Sequence, residues 1–489
     1  MRDDLRVAVV GAGMSGILAA IRLAEAGLDD VVVYEKADRL GGTWRENTYP
    51  GLSCDVPSHF YSYSFALNPA WSHRFAPGAE ILAYFEDVAR RWDVEPRIRY
   101  RTEVHRCAFE RGRWRLETAD GRTDSADVVI AATGVLHHPA YPNIASLGTF
   151  AGPCFHSARW DHDVPIAGRR VGVVGTGSSA AQIVTAIVRE AGSLHLFQRT
   201  PQWIAPAPNP AYTDDEKATF RRTPSAMVAI REEVARAFTD GFANVLVDTT
   251  SPMLEMIQAA CTAHLETVRD PALREKLRPT YRAACKRLIV CDGFYEAIQQ
   301  PNATLVTEPI ARIEPAGVRT RDGVLHALDV LVLATGFQVD RFVRPMAVVG
   351  RDGALLDDVW AAGPFAYLAL AVPDFPNLFL LNGPNGPVGN FSLIEVAELQ
   401  MGWVLQLLEL IRAGRCDEVS PTRAAMTRFD AERRAAAAHT IWSSGCKSWY
   451  LGADGLPTAW PFTWDRFRDE MRAPRLDDLD LRHAQKEMR

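Results

Sequence analysis

The sequence predicts an α/β fold: two Rossmann-like dinucleotide-binding domains with an inserted helical subdomain. Three observations predict it. Two apolar runs each enter a glycine-rich turn and then a helical stretch; a charged residue follows each turn at the same distance; and a stretch rich in Ala, Arg and Glu interrupts the second unit. A lone GxGxxG turn is weak evidence, whereas two of them, each after an apolar strand and each with a matching residue downstream, are specific.

The first unit opens with the strand Val7 to Val10, the turn Gly11, Ala12, Gly13, Met14, Ser15 and Gly16, and a helix over Ile17 to Ala26. Its second strand, Val31 to Tyr34, ends in Glu35, 24 residues past Gly11, with Lys36 beside it. A carboxylate there accepts hydrogen bonds from ribose hydroxyls and repels a 2′-phosphate, so this site reads as FAD or NAD. The second unit repeats the pattern at Val171 to Val174 and Gly175, Thr176, Gly177, Ser178, Ser179 and Ala180, with Ala180 in place of the third glycine. Its strand Leu194 to Gln198 ends in Arg199, 24 residues past Gly175. A guanidinium presents a planar fork of donors to a 2′-phosphate, so this site reads as NADP.

Between the turns lie Leu40, Gly41, Gly42, Thr43 and Trp44, then Tyr49-Pro-Gly51 and Cys54-Asp55-Val56-Pro57, with Tyr61 following. Paired glycines let a backbone approach a ring system closely, and Trp44 offers a flat apolar neighbour. A Gly-Pro surface loop over a core tryptophan fits the same residues. Ile81 to Trp92 has helical spacing and predicts a surface helix; Val104 to Thr118 predicts a hairpin broken at Arg111-Gly-Arg113. The runs ending Ala132-Thr133-Gly134 and Ala334-Thr335-Gly336 are near copies, each expected to close one unit.

Pro206 to Pro210 breaks the chain, and Glu216 to Leu246 and Met253 to Leu277 predict two helices, serving as a substrate lid or as a structural pair over a sheet edge. From Phe337 the chain must return to the first unit, with a strand over Asn377 to Asn382. The loop Gly383 to Pro387 is expected to bring N–H groups near a ligand, ahead of a long helix over Ser392 to Arg412. The aromatic tail, Cys446 to Tyr450 and Ala459 to Trp464, fits a pocket wall or plain core.

The 489 residues carry a net charge of −6 with both signs interspersed, which makes nucleic acid an unexpected partner. The first six residues run into the first strand and leave no room for a signal peptide, and no apolar stretch is long enough for a membrane span, so a cytoplasmic location is expected. The eight cysteines contain no CxxC pair, which argues against a metal site and a dithiol centre; most are expected as reduced, buried side chains.

Phe150-Ala-Gly152-Pro-Cys-Phe-His156-Ser-Ala-Arg-Trp160 resembles the FxGxxxHxxxW fingerprint of the type I Baeyer-Villiger monooxygenases. Gly41-Gly42-Thr43-Trp44 through Tyr49-Pro-Gly51 to Asp55 is similar to that family's second pattern. The likeness extends to Gln198-Arg-Thr-Pro201, Lys286-Arg287, Ala334 to Phe337 and Ser448-Trp-Tyr450. It implies an enzyme with FAD in the first unit and NADP(H) in the second, inserting one oxygen atom of O2 beside a ketone carbonyl through a C4a-peroxyflavin to give an ester or lactone. Arg287 matches the family's active-site arginine, with Asp55 holding it. Arg199, Thr200 and Lys286 match the 2′-phosphate clamp, and Asn382 joins the cofactor-binding set. His156 and Trp160, read as linker residues, would set the relative position of the two units. The implied boundaries are 1–145 and 337–489 for the FAD-binding domain, 146–205 and 285–336 for the NADP-binding domain, and 206–284 for the helical insert. A flavin monooxygenase acting on amines or sulfides is the alternative, against which Trp160 and Arg287 speak. Monomer and homodimer both remain open.

Overall fold

The computed structural model describes residues 4–389 and 391–483. Two five-stranded parallel sheets dominate. The first runs in the order Leu378–Leu380, Val128–Ala131, Val7–Val10, Val31–Tyr34, Ile98–Arg99. Its central strands are buried on both faces, which is why they read as unbroken Val-Ala-Ile runs without alternation. The second runs Ala303–Val306, Ser193–Phe197, Arg170–Val174, Val330–Leu333, Cys154–His156, again all parallel. The chain returns to the first sheet after the second is complete, as expected, through Leu378–Leu380.

The first glycine turn starts its helix early. The first helix spans Met14–Glu25, three residues ahead of the expected start, because Gly13 is already extended and its carbonyl receives the Ile17 N–H. The matching helix in the second unit spans Ser178–Ile187. The helix Gly78–Arg91 buries Ile81, Phe85 and Val88 against the first unit's core. The hairpin Val104–Glu110 and Arg113–Thr118 turns at the expected place and gains Thr123–Ala126 and Ala347–Val349 as outer strands. Leu393–Arg412 packs on the first helix, and the Arg412 guanidinium donates to the Ala26 carbonyl at 2.9 Å, covering that helix's C-terminal end.

Two expectations need correction. The helical insert is finer than two helices: it runs Asp214–Arg222, Pro224–Phe238, Met253–Leu265 and Pro271–Leu277. Pro224 and Pro271 lack an N–H and so begin helices instead of continuing them. His156 is not in a linker but ends an edge strand of the second sheet, and Trp160 packs in that unit's core. Cys285 and Cys446, 161 residues apart, form a disulfide. The other six cysteines are free, and all but Cys154 are buried. In the tail, Trp460 and Trp464 are core, whereas Trp449 is 43% exposed. Among the described residues no helix is long and apolar enough to cross a membrane, and no group of His, Cys, Asp and Glu could hold a metal ion.

Candidate active site

One cleft of about 1220 Å³ lies where the two parallel sheets present the C-terminal ends of their strands, the place where such sheets bind ligands. Every candidate site residue except Gly16 lines it. Gly16 instead supports the turn from behind: a Cβ there would stand 1.8 Å from the Gly11 carbonyl oxygen. Gly11 itself has a φ of +104°, and a Cβ on it would stand 2.6 Å from the Ala132 carbonyl oxygen. Gly42 and Gly13 meet backbone to backbone, with a Cβ on Gly42 only 2.9 Å from the Gly13 Cα. The two glycine loops therefore form one floor on which a flat ligand can rest without meeting a side chain.

Glu35 is 4% exposed and already accepts the Ala12 and Ala37 N–H groups, both at 2.9 Å, with Arg45 at 3.2 Å. A carboxylate has about four acceptor positions, so room is left for a ribose hydroxyl. Lys36 lies 3.4 Å from His137, and the Thr133 hydroxyl donates to the Phe342 carbonyl at 3.1 Å. Asn382 has its amide nitrogen donating to Ser15 Oγ at 3.0 Å, while its Oδ1 is buried without a partner. An orphaned acceptor in the cleft wall asks for a ligand N–H. Trp44 Nε1 donates to the Tyr61 hydroxyl at 3.2 Å, with the rings edge to face at 5.6 Å. Both readings of this loop hold at once: Trp44 is buried core and lines the cleft. These features fit FAD.

The second turn mirrors the first. Gly175 has a φ of +119° and a Cβ on it would meet the Ala334 carbonyl oxygen at 2.2 Å. Thr176 donates to the Thr200 carbonyl at 2.7 Å and Thr335 to that of Ala140 at 2.6 Å. Arg199 is exposed, and Lys286 lies over the Tyr281 ring at 4.6 Å. Burial and the Arg199 charge both push the Lys286 amine below its ordinary pKa. Two cations lining the same end of the cleft suit a doubly charged phosphate, so this end fits NADP.

Arg287 and Asp55 meet in the wall between the two turns. The carboxylate Oδ2 accepts from Arg287 Nε at 2.9 Å and from one terminal nitrogen as well. The side chains are 32% and 22% exposed. Burial opposes the guanidinium charge, but Asp55 and the Tyr450 hydroxyl outweigh it and raise the pKa. The cation is fixed, permanent and open to the cleft on one side.

The loop Gly383 to Pro387 does not line the cleft, contrary to expectation; it folds inward, with Gly383 donating to Ala369 and Asn385 to Thr458. Its flanks, Asn382 and Val388, reach the cleft instead. Neither His156 nor Trp160 lines it, and burial pushes the His156 imidazole down to about 4. Sequence reasoning missed the bridge between the units, where Ser179 donates to the Tyr49 hydroxyl at 3.2 Å and Tyr49 to Gln182 at 2.9 Å. The signal was present as Tyr49 beside Gly51, whose Cβ would stand 2.6 Å from the Gln182 carbonyl oxygen.

Residues 8–220 match a family model described as pyridine nucleotide-disulphide oxidoreductase. The paired cysteines of this chain, Cys285 and Cys446, lie outside that span and do not line the cleft. An uncharacterized monooxygenase of Mycobacterium tuberculosis is 47% identical over 97% of this chain and 96% of its own length. A Baeyer-Villiger monooxygenase of Streptomyces coelicolor is 40% identical over 96% of this chain and 92% of its own. The crystal structure of cyclohexanone monooxygenase from Rhodococcus sp. Phi1 bound to NADP+ superposes with a TM-score of 0.88, at 29% identity, covering 98% of this chain and 99% of that one.

Proposed function

We propose, from the premise that the chain belongs to the Baeyer-Villiger monooxygenase family, that it inserts one oxygen atom of O2 beside a ketone carbonyl to give an ester or lactone. The enzyme is an NADPH-dependent flavoprotein monooxygenase with FAD and NADP(H) as cofactors. The observation that carries the finer reading is the Arg287–Asp55 pair, set in one cleft between two dinucleotide turns.

Residues 1–145 and 337–489 form the FAD-binding domain, 146–205 and 285–336 the NADP-binding domain, and 206–284 the insert; the strand order of the two sheets supports this division. Gly11, Gly13 and Gly42 give the FAD its backbone floor, Glu35 takes a ribose hydroxyl, and Asn382 offers its free Oδ1. Arg199, Thr200 and Lys286 take the 2′-phosphate of NADPH. Bound FAD, once reduced by NADPH, supplies dioxygen in a reactive form, of which one atom enters the product and the other leaves as water.

Arg287 is the catalytic residue of this chain. Negative charge builds on the ketone oxygen as the new C–O bond forms, and a guanidinium already in place stabilises it without reorganising. Asp55 holds the planar fork in that orientation. Removing one such donor costs on the order of 3 kcal/mol at the transition state, roughly two to three powers of ten in rate. Arg287→Ala is therefore expected to bind FAD and be bleached by NADPH, yet form no ester in single-turnover product analysis; wild-type ester yield would remove Arg287 from the mechanism.

The test of the function itself is a panel of cyclic and aryl ketones beside an aryl sulfide, with NADPH consumption compared with product. Ester or lactone from a ketone supports the reading. Sulfoxide from the sulfide with no ester from any ketone would replace it with heteroatom oxidation.

A further inference from the structure

The Cys285–Cys446 bond lies directly behind the cleft wall. Lys286 and Arg287, which follow one cysteine, line the cleft, and so do Lys447, Ser448 and Trp449, which follow the other. Both cysteines are buried in an apolar cluster with Ile441, Trp442, Tyr450 and, from the helical insert, Leu254. One covalent bond therefore joins two stretches of wall that stand 161 residues apart in sequence.

The second stretch has little else to hold it. Among the described residues, no backbone N–H from Gly445 to Trp449 donates a hydrogen bond. Ser443, Ser444, Gly445, Lys447 and Trp449 are exposed. Cys446 is the buried point among them, and Tyr450, buried with its ring 5.2 Å from that of Trp442, anchors the far end. A strip without a hydrogen-bonded backbone and with few buried side chains opens easily, so its place on the wall depends on those two anchors. The same exposure brings Cys446 within reach of an attacking thiol whenever the strip opens.

We propose that Cys285–Cys446 is a redox-sensitive tie in the cleft wall, opened by a dithiol. Oxidised, it keeps Lys447 to Trp449 beside the segment carrying Lys286 and Arg287; reduced, it releases them. A thiolate of the dithiol attacks Cys446 Sγ, the S–S bond breaks, and Cys285 leaves as a thiolate that takes up a proton. The second thiol of the reductant then attacks the mixed disulfide and frees Cys446. Two electrons and two protons pass to the protein, and the dithiol becomes a disulfide. With the strip released, water reaches the cleft beside Arg287, and reduced oxygen escapes as hydrogen peroxide instead of entering the ketone. That last consequence rests on the ketone-oxidation reading, whereas release of the strip does not.

The experiment incubates the wild-type holoenzyme with glutathione disulfide or with dithiothreitol, removes the reagent, and compares the two preparations beside Cys446→Ser treated in the same ways. Peptide mapping after alkylation should find Cys285 and Cys446 linked in the first preparation and both alkylated in the second. Limited trypsin digestion should cut after Lys447 at least about tenfold faster in the reduced protein, because opening of the strip controls that cleavage. With the ketone from the panel that gives the highest ester yield, ester formed per NADPH consumed should fall at least about threefold on reduction, with hydrogen peroxide accounting for the difference. Reoxidation should restore the ratio, and Cys446→Ser should match the reduced protein after either treatment. Absence of the linked peptide, a cleavage rate or an ester ratio that reduction leaves unchanged, or a response of Cys446→Ser to dithiothreitol each overturns the proposal. An oxidised wild-type enzyme that forms no ester from any ketone defeats the functional reading instead, and the cleavage rates then decide the tie alone.

Discussion

Replacing Asp55 by Asn removes one charge from the centre of the cleft and almost no volume. Asp55 Oδ2 accepts from Arg287 Nε at 2.9 Å and from a terminal nitrogen, so an amide in its place can keep at most its Oδ1 as acceptor while its NH2 faces a donor. Two unit charges about 4 Å apart interact by about 4 kcal/mol at an effective dielectric constant of 20. The pair is 32% and 22% exposed, so solvent screens it; taking half of that figure leaves about 2 kcal/mol to hold the guanidinium in register. If all of it is felt in the oxygen-transfer step, ester formation slows about thirtyfold. The assay is rapid mixing of NADPH-reduced Asp55→Asn enzyme with aerated ketone, followed by product quantification, beside a measurement of FAD content. Ester formation within twofold of wild type, with FAD bound, would refute the view that Asp55 positions Arg287.

Other consequences follow from the same geometry. Arg199→Ala should raise the KM for NADPH at least about tenfold and that for NADH by less than twofold, since only NADPH carries the phosphate that a guanidinium recognises; parallel changes in the two would contradict the 2′-phosphate assignment. Gly16→Ala puts a methyl group 1.8 Å from the Gly11 oxygen and forces the first turn open. The protein should then lose roughly 1–3 kcal/mol of stability and purify with little flavin absorbance; full colour would show that the turn does not cradle FAD. His59 is buried against Tyr212 and Phe220 with both ring nitrogens unpartnered, and burial pushes its pKa from 6.5 to about 4. Unfolded chains take up a proton there as pH falls below about 6.5 and the folded protein does not until about 4, so stability declines across that window by up to about 3 kcal/mol. His59→Phe should move the midpoint of acid unfolding downward in a pH titration followed by tryptophan fluorescence, and an unchanged midpoint would rule this histidine out.

Much of the fold was legible because its defining features are local. Val7 to Val10 and Val171 to Val174 announce buried parallel strands by composition, and Gly11 and Gly175 take the positive φ that such turns share. The charge of Glu35 and of Arg199 is likewise meaningful at a fixed distance from its turn. The partnership of Asp55 and Arg287 came from resemblance, since 232 residues separate them and no periodicity joins them. Tyr450 was visible only as one aromatic among several, and its packing against Trp442 in the core around the Cys285–Cys446 bond is set by the tertiary fold. Cys285 and Cys446 carry no spacing that would mark them as a pair. Pro224 and Pro271 were legible breaks within the insert; charge and helix propensity on either side masked them. The short pair Glu418–Pro421 and Leu479–Arg482 has too few residues for alternation to show.

The central claim is that one cleft holds two dinucleotides and spends the electrons of one on oxygen insertion beside Arg287. The purified yellow enzyme, mixed with NADPH in the absence of air, should bleach; admitting air together with the ketone should then restore the colour with close to one ester formed per NADPH oxidised. Enzyme that stays yellow under NADPH, or that regains its colour in air with hydrogen peroxide as the sole product for every ketone tried, would contradict it.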